Sequence, residues 1–229
     1  MARKQFDLIV FDWDGTLMDS TAAIVKCIQS AAKDLGLPVP SDAAAAHVIG
    51  LGLAEAMQAV MPNLEPALYP RMTERYRYHF LTKDHEMVLF KGVKPMLEEL
   101  SQQGYFLAVA TGKSRRGLDR IFAERDCGHW FDGSRTADLT RSKPDPLMLV
   151  ELLETLDVAL EDAVLIGDSV HDMGMAKALG MDRVAVTWGV HEAGQLNAFS
   201  PVCVVQDFHE LMGWLETATS QRTGMGMHE

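Results

Sequence analysis

A buried strand that ends in two carboxylates is the feature that most limits the fold of this chain. Leu8–Phe11 is short, aliphatic and apolar on both faces, as is typical of a central strand in a parallel sheet covered by helices. Asp12 and Asp14 follow it directly. Ligands of open α/β sheets bind beyond the carboxyl ends of the strands, so these acids predict a site. The same layout returns where the apolar run at 163–167 ends in Asp168.

The two carboxylates of this first motif need a counter-charge. Asp12 and Asp14 stand two positions apart, and two such charges about 4 Å apart repel by roughly 4 kcal/mol at an effective dielectric near 20. A divalent cation would relieve this repulsion, and oxygen ligands suit Mg²⁺. Gly15 permits the sharp chain reversal that brings backbone N–H groups towards a ligand. The structural alternative is an Asx-rich turn after a strand.

Two further segments follow predicted strands or precede predicted helices. Thr111 and Gly112 come after the apolar run at 105–110, and a hydroxyl with free N–H groups at a helix start can hold phosphate oxygens. Lys143 precedes a proline that starts the helix predicted at 147–156. Taken singly, a Thr-Gly turn is more often a helix cap and a lone lysine is more often solvated. Because they occur together with the acidic motifs, Thr111, Gly112 and Lys143 are candidate phosphate-binding residues.

A long segment without a clear strand pattern separates the first motif from the next strand. Its apolar residues recur at helical spacing in three stretches, at 24–35, 53–61 and 72–81. The sequence therefore predicts a small all-helical insertion after the first strand. The predicted units are an α/β core at 1–17 and 91–220, the helical insertion at 18–90 and a disordered tail at 221–229.

Composition limits the class of protein. The chain has 229 residues, 48% of them hydrophobic, which suffices for a full α/β core and a modest second module. A net charge of −11 and a pI near 5.1 argue against nucleic acid or an anionic membrane as the main partner. The three cysteines lack metal-ligand spacing, and the sequence shows no signal peptide and no apolar run of membrane-spanning length. We therefore expect a cytoplasmic protein.

In combination, the motifs resemble those of the haloacid dehalogenase-like hydrolase superfamily, and within it the phosphoglycolate phosphatase-like branch. Asp-x-Asp-Gly-Thr, Thr-Gly, Lys-Pro and Gly-Asp-Ser-x-x-Asp occur in this order between about Phe6 and Val205. The combination of these four motifs in this order is highly specific. The resemblance implies a doubly wound parallel α/β sheet, a Rossmann-like core, in which the helical insertion forms a cap that closes over the site.

The resemblance also implies a role for most residues of the motifs. Asp12 would be the nucleophile that forms an aspartyl-phosphate, and Asp14 would act first as general acid and then as general base. Thr111 and the Gly112 amide would bind phosphoryl oxygens. Lys143 would neutralise charge on those oxygens and on Asp12.

The same resemblance implies a magnesium site. Its ligands would be the Asp12 carboxylate, the backbone carbonyl of Asp14 and the Asp168 carboxylate. Asp172 would not bind the metal directly but would orient Lys143 or a metal-bound water.

Differences between the subgroups of the superfamily help to choose the reaction. Dehalogenases of this fold lack the second acid and need no metal, and phosphonoacetaldehyde hydrolases share the pattern of Trp13 but typically have alanine at the position of Asp14. Phosphomutase-like members often have a bulky aliphatic residue where Thr16 stands. We therefore expect a Mg²⁺-dependent phosphoric monoester hydrolase that acts on a small phosphomonoester, with phosphoglycolate as the family-level substrate. A phosphomutase and a phosphotransfer or interaction protein of the same fold are the alternatives.

Substrate choice is expected to lie in the cap. The loop at 50–53, and Gly52 in particular, resembles the loop that faces the substrate in related phosphatases, although a Gly-containing helix junction explains it nearly as well. Arg115 and Arg116 are either further specificity positions or solvated helix arginines. His171 has no histidine partner at ligand spacing, which favours a structural or solvent-exposed position for it.

Overall fold

The central sheet places β1 in its interior. The computed structural model describes residues 6–83 and 87–221. The strands are β1 (Leu8–Phe11), β2 (Met18–Asp19), β3 (Val88–Leu89), β4 (Phe106–Thr111), β5 (Gly133–Thr136), β6 (Ala163–Gly167), β7 (Asp182–Val186) and β8 (Cys203–Val205). Six of them form one sheet in the order β5-β4-β1-β6-β7-β8, and each neighbouring pair in it is parallel. All four residues of β1 are buried, as its uninterrupted apolar run requires.

Helices separate most of the strands along the chain, and one follows the last strand. They are α1 (Thr21–Asp34), α2 (Asp42–His47), α3 (Leu53–Val60), α4 (Tyr69–Lys83), α5 (Val93–Gln102), α6 (Arg115–Arg125), α7 (Leu147–Leu156), α8 (Val170–Leu179), α9 (Ala193–Asn197) and α10 (Phe208–Gln221). The predicted bounds of α7 agree with the observed ones, because a proline stands just before the helix and its apolar residues face the sheet.

Two hydrophobic cores lie on the two sides of the sheet, and β1 contributes to both. Ile9 and Phe11 belong to the core that includes residues of α5 and α10, whereas Leu8 and Val10 belong to the core that includes residues of α7 and α8. Successive side chains of a strand point to opposite faces, which explains the alternation. A parallel sheet with a helical layer on each face is a doubly wound α/β fold, so the predicted fold class is confirmed.

The helices α1 to α4 enclose a hydrophobic cluster of their own. Ile28 of α1, Met57 of α3 and Met72 of α4 are buried in it. The segment differs in one respect from the predicted all-helical insertion, because β2 pairs antiparallel with β3 where the chain leaves and re-enters the sheet. Strands of two residues have no readable alternation, so the sequence pattern missed them. The residue bounds of the predicted domains stay predictions.

The predicted disordered tail at 221–229 lies outside the described residues, except for Gln221 at the end of α10. Within the described part of the chain, no helix has both the length and the apolar character that crossing a membrane requires.

Candidate active site

Three neighbouring strands bring the predicted site residues to one edge of the sheet. In the parallel register Phe11 lies opposite Val109 of β4 on one side and opposite Ile166 of β6 on the other. Asp12 follows Phe11, and its N–H donates to the Ile166 carbonyl at 2.9 Å. Asp168 comes two residues after Ile166, so two of the predicted metal ligands emerge from adjacent strand ends.

Lys143 lies in the loop between β5 and α7, and its side chain reaches the carboxylates at this edge of the sheet. Its side chain is fully buried, and Nζ donates to Asp12 Oδ1 at 2.5 Å and to Asp172 Oδ1 at 2.6 Å. Burial alone would lower the pKa of Lys143, but the two carboxylates outweigh it and raise the pKa above its ordinary value. Lys143 is therefore a charged ammonium that links the nucleophile candidate to Asp172, one of the two roles predicted for Asp172.

The carboxylates outnumber the ammonium group that faces them. Asp12, Asp168 and Asp172 are all buried, and each has a carboxylate oxygen within 4.8 Å of one from each of the others. Burial and the nearby Asp172 carboxylate raise the pKa of Asp12 well above its ordinary value, although Lys143 opposes the shift. The same two causes raise the pKa of Asp168 to about 7. One ammonium cannot compensate three carboxylates, so the cluster suits a divalent cation.

One oxygen of this cluster lacks a partner. Asp12 Oδ2 is buried and has no hydrogen-bond partner among the described residues, whereas Oδ1 is held by Lys143. Buried polar atoms in proteins are nearly always paired. The unpaired oxygen is free to bind a metal ion or to attack an electrophile.

Asp168 is oriented by contacts that the sequence pattern did not reveal. Thr16 Oγ1 donates to Asp168 Oδ1 at 2.6 Å, and the Val190 N–H donates to Oδ2 at 2.7 Å. Gly15 and Gly189 approach so closely that a Cβ at either position would collide with the Asp168 carboxylate. Gly15 also has a φ of +89°, which favours glycine. The second glycine and Val190 had no signal in the sequence.

Asp172 is fixed by the start of α8. Ser169 is the N-cap of this helix and accepts from the Asp172 N–H, while Asp172 Oδ2 accepts from the Ser169 N–H at 3.1 Å and from its hydroxyl at 2.5 Å. This reciprocal capping box satisfies two helix-end donors. It leaves Oδ1 for Lys143, so Asp172 orients the lysine without turning towards solvent.

Asp14 has different neighbours from Asp12. The Ser20 hydroxyl donates to Asp14 Oδ1 at 2.6 Å, and Lys113 Nζ lies 3.0 Å from Oδ2. Ser20 is the N-cap residue of α1, and Lys113 follows the Thr-Gly turn after β4. Neither contact could be predicted, because nothing in a sequence shows which of several nearby polar residues meets a given acid.

The loop between α2 and α3 lies directly on the turn after β4. A Cβ at Gly112 would collide with the backbone carbonyls of Gly50 and Leu51, so only glycine fits there. The Gly52 N–H donates to Ser142 Oγ at 2.7 Å, one residue before Lys143. The structure therefore places Gly112 against the loop that contains Gly52, both of them predicted substrate-binding residues, and Thr111 is buried at the end of β4 next to Gly112.

A cavity of about 860 Å³ opens between this loop and the sheet edge. Asp14, Lys113, Gly52 and Gly112 line it together with apolar side chains of the helical insertion such as Phe80. Arg116 lines the cavity as well. Arg115 is instead bound to Ser134 and Asp119, which indicates a structural role for it.

His171 lies in a group of three histidines that the sequence spacing did not reveal. Its Nε2 is 2.7 Å from the backbone carbonyl of His47, and His47 Nδ1 is 2.8 Å from His191 Nε2. Burial lowers the pKa of His171, and burial with the neighbouring imidazoles lowers the pKa of His191 to about 4. The expectation of a structural position holds for His171, but its partners come from 124 and 20 residues away rather than from a local pattern.

Trp13 packs against Phe122 and Phe131 in the core.

The fold and this cluster define a doubly wound α/β protein with a buried acidic site, and comparison with known proteins identifies its family. The model of the haloacid dehalogenase-like hydrolase family matches residues 9–186. "Probable phosphatase IndB" of Dickeya dadantii is 33% identical over 90% of this chain and 92% of its own length. A phosphoglycolate phosphatase of Aliivibrio fischeri is 30% identical over 94% of this chain and 99% of its own length.

A solved structure agrees with these relatives. A haloacid dehalogenase-like hydrolase from Streptococcus pneumoniae has a TM-score of 0.78 at 27% identity, covering 92% of this chain and 98% of its own. The chain therefore belongs to the haloacid dehalogenase-like hydrolase family, in the branch that resembles phosphoglycolate phosphatases. The predicted family is confirmed, and with it the predicted class of enzyme: this is a hydrolase family, and the relatives named here are phosphatases.

Proposed function

We propose that the protein is a Mg²⁺-dependent phosphatase that hydrolyses a small phosphomonoester through an aspartyl-phosphate on Asp12. The observation that carries the proposal is the buried cluster of Asp12, Asp168 and Asp172, in which Lys143 contacts Asp12 and Asp172. Removing each carboxylate from water costs on the order of several kcal/mol. A cluster of buried carboxylates that one ammonium compensates only in part is expected at a functional site, where the charged groups take part in the reaction.

The residues present fit a magnesium ion. Asp12 Oδ2 is buried without a partner among the described residues, and hydrogen bonds from Thr16 and the Val190 N–H hold the Asp168 carboxylate in place. Asp12, Asp168 and the backbone carbonyl of Asp14 would hold the ion, which suits hard oxygen ligands. When bound, Mg²⁺ supplies charge compensation between the carboxylates and the phosphoryl oxygens.

In the first step, an oxygen of Asp12 bonds to phosphorus and the bond from phosphorus to the alcohol oxygen breaks. Asp14 gives its proton to that leaving oxygen. Thr111 and the Gly112 N–H bind the transferred phosphoryl group. Lys143 compensates the negative charge of the phosphoryl oxygens and of Asp12.

In the second step, water attacks the phosphorus of the aspartyl-phosphate and the bond to Asp12 breaks. Asp14, now a carboxylate, takes the proton of the water. The two steps return both acids to their starting states and release inorganic phosphate. Splitting one displacement into two easier ones is the advantage of covalent catalysis.

Phosphoglycolate is the first substrate to test, because relatives that align along nearly the whole chain carry its name. The experiment measures phosphate release from phosphoglycolate, 4-nitrophenyl phosphate and a panel of small phosphomonoesters, with and without Mg²⁺. Metal-dependent release from at least one ester is expected. No release from any of them would refute the phosphatase, and conversion of a sugar phosphate into its isomer without phosphate release would point to a phosphomutase.

A further inference from the structure

Both carboxylate oxygens of Asp14 are engaged. Ser20 donates to Oδ1 at 2.6 Å, and the Lys113 ammonium lies 3.0 Å from Oδ2. A serine hydroxyl at this distance is an ordinary hydrogen bond, whereas the ammonium adds a full charge beside the acid. The orientation of Asp14 therefore depends on a lysine to which the mechanism above gives no task.

Lys113 is itself held from two directions. Its backbone N–H donates to Thr111 Oγ1 at 3.2 Å, which ties it to the turn that would bind the phosphoryl group. Its ammonium lies 4.7 Å from the centroid of the Phe80 ring on α4, within the range of a cation–π interaction. The side chain is only 9% exposed, so its charge acts in a partly desolvated setting where such contacts are stronger.

The two lysines of the site divide the two acids between them. Lys143 contacts Asp12 and Asp172, and Lys113 contacts Asp14. Lys143 sits wholly within the α/β core, whereas Lys113 reaches across the cavity to a helix of the insertion. Lys113 therefore has different contacts from Lys143 and does not duplicate its role.

We propose that Lys113 is a positioning residue for Asp14, and that the Phe80 ring keeps its ammonium in place. The inference rests on the proposed function, because Asp14 must be the proton donor. When Asp14 gives its proton to the leaving oxygen, the carboxylate that forms lies beside a cation that stabilises it. The same contact keeps that carboxylate aimed at the water of the second step.

The dependence on the leaving group separates this role from a structural one. An alkoxide needs a proton as it leaves, whereas 4-nitrophenolate is stable enough to leave without one. Loss of a well-placed general acid should therefore slow alkyl esters far more than the nitrophenyl ester. A general disturbance of the site would slow both alike.

The experiment compares Lys113→Met with wild type in Mg²⁺. The rate of phosphoenzyme formation is measured by quench-flow with ³²P-labelled esters, using 4-nitrophenyl phosphate, phosphoglycolate and the fastest of methyl, ethyl and propyl phosphate. We expect the rate for the alkyl ester to fall by about 10²-fold and the rate for the nitrophenyl ester by less than about fivefold, without a change in substrate affinity. Lys113→Arg should recover part of the alkyl rate.

Two further variants complete the set. Phe80→Leu should show the same selectivity to a smaller extent, because the lysine loses only its support. Lys177→Met is the matched control, since Lys177 also lies over an aromatic ring, 5.7 Å from the centroid of Phe199, but on α8 outside the cavity. It should leave all rates at the wild-type level.

Each other outcome counts against the proposal. Equal losses on nitrophenyl and alkyl esters would show a structural role, and weaker binding of phosphoglycolate alone would show that Lys113 binds a substrate carboxylate instead. The same selective loss on alkyl esters in Lys177→Met would make the effect nonspecific. If wild type hydrolyses none of the esters, the phosphatase itself fails, and the inference fails with it; if wild type is active, only the inference is at stake.

Discussion

The two acids of the first motif stand two residues apart, yet they lie in different surroundings. Asp12 is fully buried, and its contacts with Lys143, Asp168 and Asp172 all come from the α/β core. Asp14 lines the cavity and is held by Ser20 and by a lysine that also contacts the helical insertion. The comparison teaches that one short motif can serve two tasks, because the chain turns between its acids and gives each a separate environment.

The largest effect is expected at the core acid. Asp12→Asn should fold and yet lose essentially all turnover, because an amide cannot form the aspartyl-phosphate. The measurement is kcat with 4-nitrophenyl phosphate, and circular dichroism reports the fold. Asp7→Asn, the same change at an exposed residue just before β1, is the control. More than a few per cent of wild-type kcat in Asp12→Asn would remove Asp12 from the role of nucleophile.

Metal removal should be nearly as severe. Chelation should abolish activity and Mg²⁺ should restore it, whereas Ca²⁺ should inhibit because its larger and looser shell disturbs the in-line geometry. Saturating Mg²⁺ at about 100 times its Kd should also stabilise wild type by about 2.7 kcal/mol. Thermal unfolding with and without the ion measures this directly.

The Asp168→Ala variant checks that the metal acts where we propose. It should need more Mg²⁺ for half-maximal activity and show a smaller thermal shift than wild type, and Asp172→Ala should show a lesser change in metal affinity. Full activity of wild type in excess chelator would return the dehalogenase interpretation to consideration.

The acid at the cavity should give an intermediate effect that depends on the step. Asp14→Asn should slow alkyl esters by about 10²–10⁴-fold. With 4-nitrophenyl phosphate the first step proceeds without an acid, but the second lacks its base, so ³²P-labelled phosphoenzyme should accumulate. Gel detection of the acid-stable label tests this. An Asp14→Asn enzyme without label and with a wild-type rate would place the acid–base elsewhere.

The smallest effect is expected in the loop between α2 and α3. Gly52→Leu should raise KM and change the order of preference among esters by about 1–3 kcal/mol. The structure sharpens the reason: a side chain at Gly52 would meet Glu55, Ala137 and Ser142, so it would push the loop away from the core. Gly213→Leu is the control, because a Cβ there meets nothing within 4 Å. An unchanged substrate profile in Gly52→Leu would move the specificity position to Arg116.

Much of the core could be predicted because its signals are local. The observed bounds of β1, β6 and α7 are the predicted ones, since each is a buried apolar run with a clear stop. By contrast, β5 is a short polar strand at the edge of the sheet, and α2 has only six residues, so neither has a period long enough to read.

The candidate site divides in the same way. Parallel strands have their carboxyl ends at one edge, so the meeting of Asp12 with Asp168 followed from the pattern of strands. The contact of Thr16 with Asp168 spans 152 residues and that of His47 with His191 spans 144, and each depends on how side chains pack in three dimensions. The contacts of Lys113 could not be predicted either, because its neighbours Asp14 and Phe80 come from separate parts of the chain.

The alternation of β1 between two cores has a consequence for the motions of the molecule. Because Leu8 and Val10 serve one core while Ile9 and Phe11 serve the other, opening this strand would expose both hydrophobic layers at once. We therefore expect such an opening to cost nearly the whole free energy of unfolding, and the backbone amides of β1 to exchange with solvent only when the core unfolds. Asp12, the proposed nucleophile, is the next residue of the chain, so it is joined directly to a strand that cannot open without exposing both cores.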